Sequence, residues 1–249
     1  MTAALFLHDD LSGDTVLLSG PEGRHAATVR RVRVGEAVDL ADGRGMRAHC
    51  RVTSLGLDVV HLRVVSREVE PEPAPRLVLV QAIAKGDRGE LAVELATEVG
   101  IDEIIPWSAE RCVVKWEGVR GERALSRWRS TAREAGKQSR RARHPQIATW
   151  LDTPALLDRV AGTTCLLLHE GADEPLASTV LPSSGEVLLV VGPEGGITDR
   201  ELAALQGAGG RAVRLGTSVV RTSTAGAVAA AVVSARTARG AGLPSPRID

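Results

Sequence analysis

The sequence predicts an α/β protein: a mostly parallel sheet covered by helices, preceded by a small β-rich domain. Three observations predict it. Strand-like apolar runs alternate with helical periodicity from Leu77 onward, the order expected of parallel strands joined by crossover helices. The run Val187 to Val191 is too short to cross a membrane and rich in β-branched residues, which suits a strand buried on both faces. Between the two halves, EVEPEPAPR (Glu68 to Arg76) crowds prolines among charges, a stretch stiffened toward an extended linker.

The elements follow in order. Within residues 1–70, short apolar runs at Thr15 to Leu18, Ala37 to Leu40, Met46 to Thr53 and Val59 to Val65 alternate with turns, and one helix is expected near Glu22 to Val32. Residues 71–76 are the linker, and 77–249 form the second domain. There Leu77 to Ile83 reads as a strand, and Glu90 to Val99 as a helix with Leu91, Leu95 and Val99 at helical spacing and Gly100 as its C-terminal cap. Ile104 and Ile105 make a short strand. A basic helix, a helix at Leu151 to Val160 and a strand at Thr164 to Leu168 follow. The central strand Val187 to Val191, a strand at Arg211 to Leu215 and an alanine-rich helix from Thr222 to Arg239 complete the domain. The tail from Gly240 is expected to fray.

Composition narrows the class. The chain has 249 residues, 43% of them hydrophobic, ample for a core. It has no apolar stretch of transmembrane length, and MTAALFLHDD lacks the pattern of a signal peptide, so a cytoplasmic protein is expected. Cys50, Cys112 and Cys165 are far apart and form no CxxC pair, and the six histidines are dispersed, so no metal site is expected. Net charge is zero, but Arg120 to Arg143 is dense in cations, a footprint that fits a polyanion as well as a solvated helix face. With no tyrosine and a single phenylalanine, an aromatic base-stacking platform of the RRM kind is not expected, and recognition of RNA would have to lean on arginine.

The chemistry concentrates in VLLVVGPEGGITDREL, Val187 to Leu202. Gly192 and Pro193 stop the strand, Gly195 and Gly196 permit backbone conformations closed to other residues, and Thr198 with Glu201 makes a capping box for the next helix. Such a bend leaves main-chain N–H groups free for a ligand. Leu168-His169-Glu170-Gly171 and Leu215 to Val220 end two further strands, and in parallel sheets ligands sit at carboxyl ends. The chain has no GxGxxG, no GxxxxGK[ST] and no GxSxG, which removes the simplest dinucleotide, P-loop and serine-hydrolase assignments.

KGDRGELAVELATEVGID (Lys85 to Asp102), SAERCVVK (Ser108 to Lys115), KQSRRARHPQI (Lys137 to Ile147), the GPEGG loop and LGTSVVRTSTAG from Leu215, in this order, resemble the RsmE family of 16S ribosomal RNA uridine-N3 methyltransferases. RHAATVRRVRVGEAVDLADG at the N-terminus resembles that family's PUA-like RNA-binding domain. The resemblance implies a SPOUT-type α/β fold with a C-terminal trefoil knot that holds S-adenosylmethionine, and a homodimer acting on 16S rRNA within the small ribosomal subunit. It implies a cofactor site at Leu168, His169, Glu170 and Gly171, at Gly192, Pro193, Glu194, Gly195, Gly196 and Ile197, and at Leu215, Gly216, Val220 and Thr222. RNA would be held by Arg30, Arg31 and Arg33 and, beside the cofactor pocket, by Arg140, Arg141 and Arg143. Two positions depart from the family pattern: Ser223 and Lys137 stand where glutamates are usual, the latter adding charge to the basic helix. Rival readings are a SPOUT enzyme with another RNA substrate and a noncatalytic rRNA-binding assembly factor.

Uridine N3 must lose its proton before attacking a sulfonium methyl. The protein therefore has to align two reactants, which contributes up to roughly 7–11 kcal/mol, and to offer a cation to the charge growing on O2 and O4. Arg221, beside the third loop, is the expected catalytic residue, because a guanidinium presents paired donors and stays charged. Its alternative role is a structural pair to a carboxylate such as Glu194.

Overall fold

A computed structural model describes residues 3–241 of the chain. By internal contacts it divides into two compact units, one comprising the chain up to Glu72 together with Arg133–His144, the other Pro73–Ala132 together with the chain from Pro145.

The first unit is a five-stranded sheet. Its elements are β1 (Ala4–Leu7), β2 (Thr15–Leu18), α1 (Gly20–Arg24), a π-helical turn (His25–Val29), β3 (Ala37–Ala41), β4 (Met46–Gly56) and β5 (Val59–Val69). The strand order is β1-β3-β4-β5-β2, with β1 and β3 parallel and the other pairs antiparallel. Alternation does the sorting: β2 and β5 bury every second residue at their starts, Val16 and Leu18 facing the core with Val60 and Leu62. β1 escaped the sequence reading; its burial pattern does not alternate, whereas that of the equally short β2 does. The helix expected over Glu22 to Val32 is shorter, α1 widening into the π turn where Arg30 N–H donates to His25 O at 2.8 Å, a five-residue closure.

The second unit contains β6 (Arg76–Ala82), α2 (Arg88–Glu98), β7 (Glu103–Ser108), β8 (Gln146–Ile147), β9 (Leu151–Asp152), α4 (Thr153–Val160), β10 (Thr164–Leu168), β11 (Glu186–Val191), α5 (Asp199–Gly207), β12 (Arg211–Val213) and α6 (Thr222–Ala235); α3 (Gly118–Gln138) begins within it. All its strand pairs are parallel, in the order β12-β10-β11-β6-β7-β8, with β9 also on β7. β11 is central as its apolar run required: Val187, Leu188, Leu189 and Val190 are fully buried between β10 and β6. Each such side chain contributes roughly 1.5–3 kcal/mol of burial.

Two expectations are corrected. The helical stripe Leu91, Leu95 and Val99 is not the packed face of α2; the buried residues are Gly89, Ala92, Val93, Ala96 and Thr97, and Leu91 is 43% exposed. α2 packs closely on α6, whose own buried face is alanine and glycine, so small residues form the contact. The alanine-rich helix ends at Ala235 rather than Arg239. Beyond it Arg239 forms a buried pair with Asp102 at 2.7 Å and donates to Pro75 O, tethering a short 3-10 turn (Ala238–Ala241). The remainder of the tail expected to fray lies outside the described residues.

The three cysteines are buried, and burial pushes the Cys165 thiol up to about 12 and the Cys50 thiol to about 11, so both are inert at neutral pH. No helix among the described residues is long and apolar enough to cross a membrane.

Candidate functional site

The site is built at the carboxyl ends of parallel strands in the second unit. Leu168 and Val191 are the last residues of β10 and β11, Arg88 opens the helix that follows β6, and Val219 to Thr222 follow β12. These segments enclose a cavity of about 370 Å³, within the range of small-ligand sites. Its wall is formed by Leu168, His169, Glu170, Val191, Gly192, Pro193, Glu194, Gly196, Ile197, Val220 and Thr222, with Arg88, Val219, Arg221 and Ala225. A small annex of about 60 Å³ shares Leu168 to Glu170 and adds Leu215, Gly216 and Ser218.

The loop after β11 owes its shape to its glycines. Gly196 has φ +75°, a left-handed conformation costly for other residues, and its N–H donates to Pro193 O at 2.8 Å to close the turn. At Gly192 a Cβ would lie 2.7 Å from Ile197 Cγ1, so the loop folds back on itself only where no side chain stands. The expected capping box is present: Thr198 Oγ1 accepts from Glu201 N–H at 3.1 Å, and Thr198 N–H donates to Glu201 Oε2 at 3.2 Å. Glu201 is 1% exposed, and its Oε1 also accepts from Glu110 N–H and Thr153 Oγ1, both at 2.9 Å. The start of α5 is thereby pinned to the segments after β7 and β9.

Thr222 joins two of the strand ends. Its hydroxyl donates to Gly192 O at 2.8 Å and accepts from Gln81 Nε2 at 3.0 Å. Gln81 is fully buried in β6.

Glu194 is paired with Arg88, Nη1 to Oε1, at 2.9 Å. Burial opposes its charge. Hydrogen bonds from its own N–H, from the Arg88 guanidinium and from Lys85 N–H outweigh that and hold the carboxyl below the usual range. A carboxylate so held is an ionised wall of the cavity and a weak proton acceptor. Arg221 is exposed at the N-terminus of α6, and among the described residues it makes no ion pair; the structural role considered for it, a pair with Glu194, is taken by Arg88.

His169 Nδ1 accepts from Gly171 N–H at 3.1 Å, so its ring closes its own loop. Gly171 and Gly195 line neither cavity; Gly195 O instead accepts from Arg111 at 2.8 Å. Ser223 is buried in the first turn of α6. Arg88 and Ala225 are cavity residues that sequence reasoning missed, and Arg88 is the charged one. The signal was available, since KGDRGE follows the strand now called β6, and ligands gather at such strand ends.

The arginines expected to hold RNA fall in the first unit. Arg30, Arg31 and Arg33 are exposed, Arg31 with φ +55°. Arg140, Arg141 and Arg143 lie past the end of α3 and belong to the same unit. Arg140 is exposed with φ +57°, whereas Arg143 is largely buried, donates to Glu70 O at 2.9 Å and lies 3.8 Å from Glu72. Lys137 does not enlarge the basic face. Its side chain is 11% exposed, and its ammonium is held by Glu22 at 2.7 Å and Glu134 at 3.3 Å. Among the described residues no cluster of three or more His, Cys, Asp or Glu side chains has the arrangement to hold a metal ion.

The residues present fit an adenosyl sulfonium ligand. Main-chain groups of the glycine loop offer donors and acceptors, Leu168, Ile197 and Val220 offer apolar walls, and Glu170 and Glu194 offer negative charge toward a cation.

Comparison with known proteins agrees with this geometry. A family profile described as an RNA methyltransferase domain matches residues 70–234, and one described as an RNA methyltransferase PUA domain matches residues 18–65. The chain is 48% identical over 246 residues to ribosomal RNA small subunit methyltransferase E of Mycobacterium bovis, covering 96% of this chain and 94% of that one. It is 29% identical over 232 residues to the protein of the same name from Bacillus subtilis, covering 90% and 91%. The crystal structure of ribosomal RNA small subunit methyltransferase E from Neisseria gonorrhoeae bound to S-adenosyl methionine superposes with a TM-score of 0.86 at 29% identity, covering 95% of this chain and 98% of that one. By profile, sequence and fold, the chain belongs to the ribosomal RNA small subunit methyltransferase E family of RNA methyltransferases.

Proposed function

We propose that this chain transfers a methyl group from S-adenosylmethionine to small-subunit ribosomal RNA, and that the acceptor is N3 of a uridine in the decoding region of 16S rRNA. The observation that carries the reading is the cavity at the strand ends, with an ionised Glu194 in its wall and an unpaired Arg221 at its mouth. When bound, S-adenosylmethionine supplies an electrophilic methyl group on a cationic sulfur. The chain's own residues do the rest. Gly192 to Ile197 and Leu168 to Glu170 hold and orient the adenosyl half, and Glu194 and Glu170 favour the positive sulfur. Arg221 sets its guanidinium against the charge that grows on O2 and O4 as N3 is deprotonated. Arg30, Arg31, Arg33 and Arg140 bind phosphates, a salt-dependent term. Arg141 and Arg143 lie in the same unit, and Arg143, bonded to Glu70 O, holds the segment in place.

The trefoil knot belongs to this proposal. The TM-score to the Neisseria structure and the Thr222 hydroxyl tying the loop before α6 to Gly192 and Gln81 support it. A homodimer, for which Leu91 on α2 and Val228 on α6 leave apolar surface exposed, and action in the cytoplasm are further parts of the proposal. Primer-extension mapping of small-subunit RNA from a deletion strain, with and without the protein restored, tests the acceptor. A stop that depends on the protein at one decoding-region uridine is expected; an unchanged pattern overturns the assignment.

A further inference from the structure

The first unit carries a groove that the methyl-transfer reading leaves unused. It lies between α1 with its π turn and the β4–β5 hairpin, encloses about 630 Å³, and is walled by Pro21, Val29, Leu57 and Val59. Leu57 is 95% exposed and Val29 70% exposed, an apolar cost to water gathered at one place. Arg24, His25 and Asp58 supply its polar edge. Arg24 is steered by Asp58 at 3.4 Å, and Asp58 is fixed in turn by Thr28 Oγ1 at 3.0 Å. The chain leaving the π turn then presents Arg30, Arg31 and Arg33, all exposed.

Apolar walls beside a guanidinium whose direction is preset, with further arginines following along the chain, match the two halves of a nucleotide. A base has apolar faces that need cover, and its phosphates need cations. A peptide without acidic side chains would take the apolar walls but leave the arginines unpaired, whereas every nucleotide of an RNA strand brings a phosphate. No phenylalanine, tyrosine or tryptophan lines the groove, so its aliphatic side chains, the plane of Arg24 and the His25 ring are what it can offer to a base.

We propose that this groove receives one unpaired base of an RNA strand, with Arg30 and Arg31 on the flanking phosphates, as an anchor distinct from the methyl-acceptor site. The inference rests on the reading that the first unit contacts RNA.

The test is fluorescence anisotropy on the full chain at low salt, with labelled hexauridylate and with an abasic ribose-phosphate hexamer of equal charge. The wild type is expected to bind hexauridylate about tenfold more tightly than the abasic strand. Val29→Ser combined with Leu57→Ser, both at exposed positions, should abolish that ratio and leave abasic binding unchanged. Leu57→Ser alone should reduce the ratio, which keeps the test open should the double variant not fold. Arg30→Glu with Arg31→Glu should weaken both strands together. Equal affinity of the wild type for the two strands, or a ratio preserved in the groove variants, overturns the groove while the arginine surface stands. Unchanged binding in the Arg30→Glu, Arg31→Glu variant overturns the RNA-contact reading, and the groove with it.

Discussion

Arg88 Nη1 donates to Glu194 Oε1 at 2.9 Å, clamping the first turn of α2 to the glycine loop after β11. The two side chains are 55% and 30% exposed, so the pair itself adds under about 1 kcal/mol to stability. Its value lies in fixing the cavity wall. Arg88→Ala is therefore expected to weaken S-adenosylmethionine binding about tenfold by titration calorimetry, near 1.4 kcal/mol, with a melting temperature lowered by less than about 4 °C. A large thermal loss with unaltered affinity would make the clamp structural only.

Among the described residues, Arg221 lines the same cavity and makes no ion pair. Arg221→Ala is expected to lower single-turnover methyl transfer by about a hundredfold or more, the scale of losing one preorganised charge donor, while cofactor affinity stays within a few fold. Near-normal turnover would remove it from the catalytic set.

Gly192 is required by space. A methyl group there meets Ile197 Cγ1 at 2.7 Å and Ile197 N at 3.2 Å, and the loop has to open to admit it. Gly192→Ala should cost about 1–3 kcal/mol in urea unfolding and impair cofactor binding. Gly207→Ala, in open space at the end of α5, is the control and should be neutral or stabilising.

His144 gives the first unit a pH dependence. Burial, and then the charges of Arg141 and Arg133, push its imidazole from 6.5 down to about 4, and its buried Nε2 has no hydrogen-bond partner. The unfolded chain therefore takes up this proton before the folded one does. The contribution is favourable at neutral pH and is lost as pH falls through the window from 6.5 toward 4. His144→Gln should flatten the decline of the urea midpoint between about pH 6.5 and 5, where carboxylates scarcely titrate. An unchanged slope would show that the imidazole is solvated.

Local patterns survived folding where a single segment carried enough signal. The five apolar residues before Gly192 read as a buried strand because the run is short, rich in β-branched residues and stopped by Gly-Pro. The Thr198–Glu201 box is closed within four residues and needs no distant partner. The stripe on α2 misled because amphipathic spacing assumes one buried face of large residues, and a helix packed tightly on the alanine-rich α6 buries its small ones instead. Lys137 misled for a different reason: the carboxylate that neutralises it is Glu22, 115 positions away.

The sequence by itself determined most of the strands and helices and their order, the glycine loop with its capping box, and the family, because these are written in contiguous residues whose backbone preferences and periodicity act locally; the short β1, β8 and β9 were not legible. Only the tertiary structure decided that Arg88 rather than Arg221 answers Glu194, that Thr222 ties Gly192 to Gln81, and that Lys137 is spent on Glu22. Charges and hydroxyls choose partners by distance in space, and that distance exists only after the strands have paired.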